Sequence, residues 1–298
     1  MTDQDPRYAI GVDVGGTRTK IGLVDLDRGV VDALSVEPTV KKDGPAFLDS
    51  LRRGIATVTA TRGVRPSGVG IAVPGFVDTE RRRISDVWDD LDYLNADGFP
   101  ARAAEVLGLP CFWDNDARCA GLGESRYGAG AGARRLLALT LGTGVGFAFL
   151  IDGQFPELSP VTHLGAHFPL RSDGPECWCG LQGCFEALVS SSGLLERIPP
   201  ALRPRSSSEI FAAALESPPI TQAVKEYLDD LRLGLEIFAR TLAPDVIVLG
   251  GGVSHRLGHY LNDLQITIQP YAGYQAVTRI SELQESAGVI GAAALTAG

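Results

Sequence analysis

The segment from His167 to Glu186, reading HFPLRSDGPECWCGLQGCFE, concentrates side chains that bind metal. His167, Cys177, Cys179 and Cys184 supply one imidazole and three thiols, and three of the chain's five cysteines fall inside this stretch. A Cys₃His set suits tetrahedral zinc, and the C-x-C-x₄-C spacing is compact enough for a single ion. Gly174, Gly180 and Gly183 lie among the ligands, where they let a short backbone turn around a metal without Cβ clashes. Two other readings exist, a chance cluster of buried cysteines and a disulfide. Three clustered thiols cannot all pair, and nothing else in the sequence reads as secreted. Four protein ligands leave no open position for catalysis. The zinc is therefore expected to be structural, fixing the loop and aiming Glu186, which opens an apolar helix-like run.

A second group is carboxylates and glycines. Asp114, Asn115 and Asp116 follow the apolar stretch 111–113 and precede a helical pattern over 117–125. Polar side chains between a strand's carboxyl end and a helix N-terminus sit where α/β folds bind ligands. Asn115 or Asp114 could cap the helix, but three polar residues in a row exceed what a cap needs, so Asn115 and Asp116 are expected to face a ligand. Asp13, Gly15, Gly16 and Thr17 lie in a turn between two strand patterns, 8–13 and 19–25. Its glycines let backbone N–H groups approach a phosphate, Thr17 adds a hydroxyl, and Asp13 can hold magnesium. The same turn also fits an ordinary hairpin. Gly142, Thr143 and Gly144 repeat the device between strand patterns at 135–141 and 147–151. Two such hairpins, one per lobe, could hold a nucleotide's phosphates across a cleft. Gly250, Gly251 and Gly252 end the apolar run 246–249, and suit either a flat ligand such as adenine or a plain strand-to-helix turn.

These residues need elements to hold them. Pro45 opens a helical pattern to about 61, with Phe47, Leu48, Leu51, Ile55 and Val58 on one face. A longer helix runs from about 221 to 242 and stops at Pro244. Residues 69–73 form a buried strand ending in Pro74-Gly75, and 288–296 a small, apolar helix that must pack closely against something. Strands alternating with helices over 298 residues predict an α/β protein in two lobes. A net charge of −9 and a pI near 5.0 argue against a nucleic-acid surface, and Arg81-Arg82-Arg83 is too short a run to change that. The acidic start MTDQDPRYAI holds no signal segment, and no stretch reaches the roughly 18 apolar residues of a membrane span. The expected location is the cytoplasm, where thiols stay free to bind metal. Cys111 and Cys119 are expected to be unreactive packing residues.

With these segments placed, the chain resembles the ROK family (repressors, uncharacterised reading frames and sugar kinases) of the actin-like ATPase superfamily. The resemblance rests on Asp13-Val-Gly-Gly-Thr17, Asn115-Asp116-Ala117 with Gly123-Glu124, Leu141-Gly-Thr-Gly-Val-Gly146, the His167 to Glu186 segment, and Leu249-Gly-Gly-Gly-Val253. It implies a two-lobed actin-like ATPase (ribonuclease H-like) α/β fold around a cleft. A small lobe would hold residues 1–116 and the C-terminal helix, about 286–298. A large lobe would hold 117–285, with the zinc loop at 163–186. The implied activity is ATP-dependent phosphorylation of a hexose or acylamino-hexose, glucokinase-like, with catalytic Mg²⁺ and structural Zn²⁺. Asp116 would be the general base. Asn115, Glu186, His167, Gly75 and His163 would serve the sugar. Asp13, Gly15, Gly16, Thr17, Lys20, Gly142, Thr143, Gly144, Gly250 and Gly251 would serve nucleotide and metal. A homodimer or homotetramer is implied as well.

Two departures bear on the sugar. The family pattern G-E-x-G-H before the zinc histidine places a sugar-binding glutamate at Leu164, or at His163 if Ala166 is an insertion, and no carboxylate stands at either. A neutral histidine offers one acceptor and leucine none. The asparagine-containing sugar loop is also unclear within 88–95, where Asp89 or Asn95 could serve. A transcription regulator of the same family would carry a helix-turn-helix before the first strand, for which the sequence leaves no room. A catalytically weak binding protein has no need of Asp116. A polyphosphate donor sits poorly with the acidic composition.

Overall fold

The computed structural model describes residues 7–78, 83–87, 89–156, 160–204, 207–268 and 274–297. Arg81, Arg82, Trp88 and the side chain of Asp89 lie outside that description. The chain forms two compact units of near-equal length.

The first unit opens with an antiparallel meander, β1 (Tyr8–Val14), β2 (Arg18–Asp25) and β3 (Val30–Pro38). Helix α1 (Gly44–Ala60) follows, capped by Asp43, whose carboxylate accepts from the Ala46 N–H at 2.9 Å. Then come β4 (Val69–Val73), the short hairpin β5 (Phe76–Asp78) with β6 (Arg83–Ser85), helix α2 (Phe99–Leu107), β7 (Cys111–Asn115) and helix α3 (Asp116–Tyr127). The sheet order is β3-β2-β1-β4-β7, with β1, β4 and β7 parallel. Alternation along β1 divides its side chains between two faces. Ile10 and Val12 join Phe47, Leu48 and Leu51 of α1 in one core cluster.

The second unit repeats the plan. An antiparallel hairpin, β8 (Arg135–Leu141) with β9 (Val145–Ile151), continues into parallel strands β10 (Val246–Gly250) and β12 (Gln275–Ile280), with β11 (Ile266–Thr267) at the edge. Between them lie short helices α4 (Phe185–Val189), α5 (Ser191–Glu196) and α6 (Ser207–Ala213), then α7 (Pro218–Leu242). Helix α7 buries Val224, Tyr227, Leu231, Leu235 and Phe238, and a left-handed Ala243 (φ 46) ends it before Pro244.

The C-terminal helix α8 (Ala287–Ala294) belongs to the first unit. It lies on the face of β1 and β4 opposite α1. Cβ atoms added to Gly11 or Gly70 would overlap the carbonyls of Val289 and Ala292, and one added to Gly291 would overlap the Cys119 carbonyl on α3. Glycines in strand interiors mark this close backbone approach. The packing also moves a boundary. Helix α3, expected in a large lobe beginning at 117, packs on α8, so the first unit runs to Gly128 and includes described residues 160–163. Among the described residues no helix is long and apolar enough to cross a membrane.

Candidate functional site

In the first unit the polar residues gather at the carboxyl ends of β1, β4 and β7. Asn115 is the N-cap of α3. Its Oδ1 accepts from the N–H groups of Ala117 (3.0 Å) and Arg118 (3.2 Å), and its Nδ2 donates to the Gly75 carbonyl at 3.1 Å. The expected ligand-facing asparagine is thus largely occupied with backbone, and its side chain also hydrogen-bonds the Asp116 carboxylate. Asp114 is buried and paired with Arg118 at 2.7 Å.

Asp116 opens α3, and its Oδ1 accepts the Ala117 N–H at 2.8 Å. Burial, and then the nearby Asp13 carboxylate, push its pKa up to about 6. Burial also raises Asp13, against the opposing charge of Lys20. Asp13 faces α8, where a Cβ on Gly288 would press on its carboxylate. Lys20, expected at the phosphates, donates to the Glu285 carbonyl at 2.9 Å. Gly15, Gly16 and Thr17 form an exposed turn tied by Gly15 N–H to the Arg18 carbonyl at 3.0 Å and by Thr39 Oγ1 to the Gly15 carbonyl at 2.6 Å. A carboxylate with a pKa near neutrality, at a helix N-terminus beside a second carboxylate, can take a proton near pH 7.

In the second unit the four metal-ligand atoms of His167, Cys177, Cys179 and Cys184 lie within 4.8 Å of one another. His167 Nδ1 stands 3.6 Å from the Cys177 sulfur and 3.5 Å from that of Cys184. A tetrahedron with Zn–S about 2.3 Å and Zn–N about 2.0 Å has N···S edges of about 3.5 Å, which both histidine–cysteine distances match, so the cluster is compatible with zinc. Gly180 (φ 88) and Gly183 (φ 61) adopt left-handed backbone that bends the loop, and a Cβ on Gly183 would overlap the Arg171 carbonyl.

Glu186 is buried beside this cluster. Its neighbour Phe185 anchors it, stacked on Phe168 with centroids 5.2 Å apart and edge-on to Phe238 at 5.6 Å. Glu186 Oε2 accepts the Val145 N–H at 2.8 Å and lies 3.5 Å from His167 Nε2. Oε1 accepts the Trp178 indole N–H at 2.6 Å. A ligand histidine backed by a carboxylate through its other nitrogen is the usual outer partner of a zinc site. The carboxylate also adjoins the Gly142–Gly144 turn, since a Cβ on Gly144 would stand 3.0 Å from Oε2. Thr143 is exposed at its tip.

Gly250 has room around it, whereas Gly251 (φ 83) is held by backbone geometry, since an added Cβ would crowd Leu141. The glycine at 251 therefore serves packing of β10 on β8. Cys111 and Cys119 are protonated packing residues: burial pushes Cys111 up to about 12 and Cys119 well above its usual range.

His163 lies near Gly75, and its ring tilts on Phe76 at 5.5 Å. Burial, and then the charge of Arg118, lower its pKa, against opposing effects of Asp114 and a hydrogen bond to the Gly75 backbone. Its Nδ1 is buried and has no hydrogen-bond partner among the described residues. Asn95, a candidate for the sugar loop, clamps its own segment instead, accepting from Val87 N–H at 3.1 Å and donating to its carbonyl at 2.8 Å. Two partners escaped sequence reasoning. Arg118 reads as a surface helix residue, and Trp178 as a spacer between two ligands.

A family model described as ROK family matches residues 9–298. The glucokinase of Halalkalibacterium halodurans is 30% identical over 317 residues, spanning 96% of this chain and 93% of that protein. The N-acetylgalactosamine kinase AgaK of Shewanella sp. is 31% identical over 255 residues, spanning 82% of this chain and 81% of that protein. A solved ROK family glucokinase from Streptomyces griseus, in complex with glucose and AMPPNP, matches with a TM-score of 0.75 at 25% identity, covering 97% of this chain and 98% of that one. The match to the family model, running nearly the whole length of the chain, and these relatives agree with the residues assembled above: the chain belongs to the ROK family.

Proposed function

We propose that this ROK-family chain is an ATP-dependent sugar phosphotransferase that phosphorylates a hydroxyl of a hexose or acylamino-hexose, with Asp116 as general base. The observation that carries the reading is Asp116 itself. A carboxylate raised to about 6 at the N-terminus of α3 is ionised at neutral pH and still basic enough to take a hydroxyl proton. Its relatives support the substrate class, since the proteins it matches are named for glucose and N-acetylgalactosamine.

Phosphoryl transfer needs positioning and charge neutralisation more than covalent chemistry. Asp116 accepts the proton of the attacking hydroxyl. Asn115 orients Asp116 by capping α3 and by a side-chain hydrogen bond to its carboxylate, and with it the orphan Nδ1 of His163 and the Glu186 carboxylate supply sugar contacts. The exposed turns at Gly15–Thr17 and Gly142–Gly144 offer N–H groups and hydroxyls to phosphates. Gly250 borders the nucleoside. Asp13, whose ionised form burial disfavours, suits a divalent cation as charge partner. Mg²⁺ supplies neutralisation of phosphate charge when bound with ATP. His167, Cys177, Cys179 and Cys184 would hold structural Zn²⁺, which rigidifies the loop that carries Glu186.

The test is ADP release from Mg-ATP against hexoses, acylamino-hexoses and their epimers. One strong substrate, lost in Asp116→Asn with sugar binding retained, supports the reading. Turnover in Asp116→Asn removes the base, and silence of the wild type across the panel removes the kinase.

A further inference from the structure

We propose that Trp178 is a positioning residue that determines how Glu186 offers its carboxylate to the sugar, and so a determinant of sugar specificity. The inference rests on the kinase reading above. Glu186 has three protein neighbours on its two oxygens. Oε2 takes the Val145 N–H at 2.8 Å and faces His167 Nε2 at 3.5 Å. Oε1 takes the Trp178 indole N–H at 2.6 Å. A carboxylate oxygen has about two acceptor sites; Oε2 faces both the Val145 N–H and the His167 ring, whereas Oε1 has only the indole N–H and keeps one. A sugar hydroxyl reaching Glu186 therefore bonds to Oε1, beside the indole that aims it.

Trp178 is built for that position. Its backbone lies between two metal-ligand cysteines, and its ring meets His167 edge-on at 4.8 Å and 79°. Yet the residue is 59% exposed, unusual for so large an aromatic, while its N–H points inward to a buried carboxylate. An aromatic with one polar tip thus places an apolar wall next to the open acceptor. Neither Leu164 nor His163, the two candidate positions, supplies the carboxylate of the family pattern, so the remaining acceptor on Oε1 carries more of the discrimination among hydroxyls.

The experiment uses Trp178→Phe, which keeps a ring and removes the N–H. Loss of one hydrogen bond to a charged group predicts a rise in sugar KM of at least about tenfold. ATP KM, zinc per chain and melting temperature stay at wild-type values, and in a Glu186→Gln background Trp178→Phe adds no further loss. An unchanged sugar KM overturns the inference, as does a parallel loss of zinc, stability and ATP KM, which marks a structural role. Should the variant not fold, wild-type protein labelled with 5-fluorotryptophan answers instead, assigned through Trp88→Phe and Trp113→Phe. Sugar alone should shift the Trp178 ¹⁹F resonance, and a resonance that stays put overturns the inference. Silence of the wild type with every sugar defeats the kinase reading and this inference together. Wild-type turnover with an unaltered Trp178→Phe defeats this inference alone.

Discussion

Lowering the pH from 7 to 5 should switch Asp116 from mostly ionised to mostly protonated. With a pKa of about 6, the ionised fraction falls from about 0.9 to about 0.1, so kcat/KM for the sugar should drop roughly tenfold. An aspartate at its usual 3.8 would remain more than about 0.9 ionised at pH 5 and show no such limb. The cause is burial first and the Asp13 charge second, so Asp13→Asn should move the limb to lower pH even while it weakens turnover. The two carboxylates interact, and the observed midpoint belongs to the pair. The assay is ADP release across about pH 4.5 to 8, paired with a ¹³C carboxyl titration of the ligand-free protein. Stability supplies an independent check. The folded pKa lies above the unfolded one, so the folded state loses stability as pH rises from about 4 through about 6. Two units correspond to at most about 3 kcal/mol at pH 8. Asp116→Asn should therefore be inactive and yet more stable than wild type at pH 8, with little difference at pH 4. A flat kcat/KM between pH 7 and 5, or a ligand-free Asp116 titrating near 4, would refute the reasoning.

Elemental analysis should find about one zinc per chain. Stripping it should raise sugar KM before ATP KM, and a metal-free, fully active preparation would sink the Cys₃His site. Asp230 is buried between Arg171 and Arg197, at 2.6 Å from each, and so ties the start of the metal loop to α7. Asp230→Ala leaves the mostly buried Arg197 guanidinium with only the half-exposed Glu226 carboxylate at 4.0 Å and should cost about 3 kcal/mol in chemical denaturation; near-wild-type stability would show the pair to be dispensable. Gly291→Ala should destabilise by about 1–3 kcal/mol through the Cys119 carbonyl, although helix propensity alone predicts a gain. The sign of the melting-temperature change decides between them. Leu164→Glu or His163→Glu should tighten binding of common hexoses in calorimetry, and no change at either position would mean that the sugar contacts are organised differently.

The local features were legible because spacing alone carries them. Ligand count and glycine placement specify the metal loop, and strand–glycine–strand patterns specify the hairpins β1–β2 and β8–β9. Both devices act over a few residues, so no distant partner is needed to read them. The apolar run of α8 could be recognised as a packed helix, but it has no polar face to give it direction. Its seat is decided by Gly11, Gly70 and Gly123, far away in sequence, and that seat also draws α3 out of the expected large lobe. Sequence showed the residue type of Asn115 but not the backbone hydrogen bonds its side chain makes, which depend on the fold.

The amino-acid sequence by itself determined the family, and it named the Cys₃His cluster proposed to hold zinc and the carboxylate proposed as base. Tertiary structure alone decided how those groups are tuned. Burial and Asp13 raise Asp116, and the indole of Trp178 aims Glu186. Desolvation, charge proximity and hydrogen-bond direction depend on distances through space, which residue order does not encode position by position.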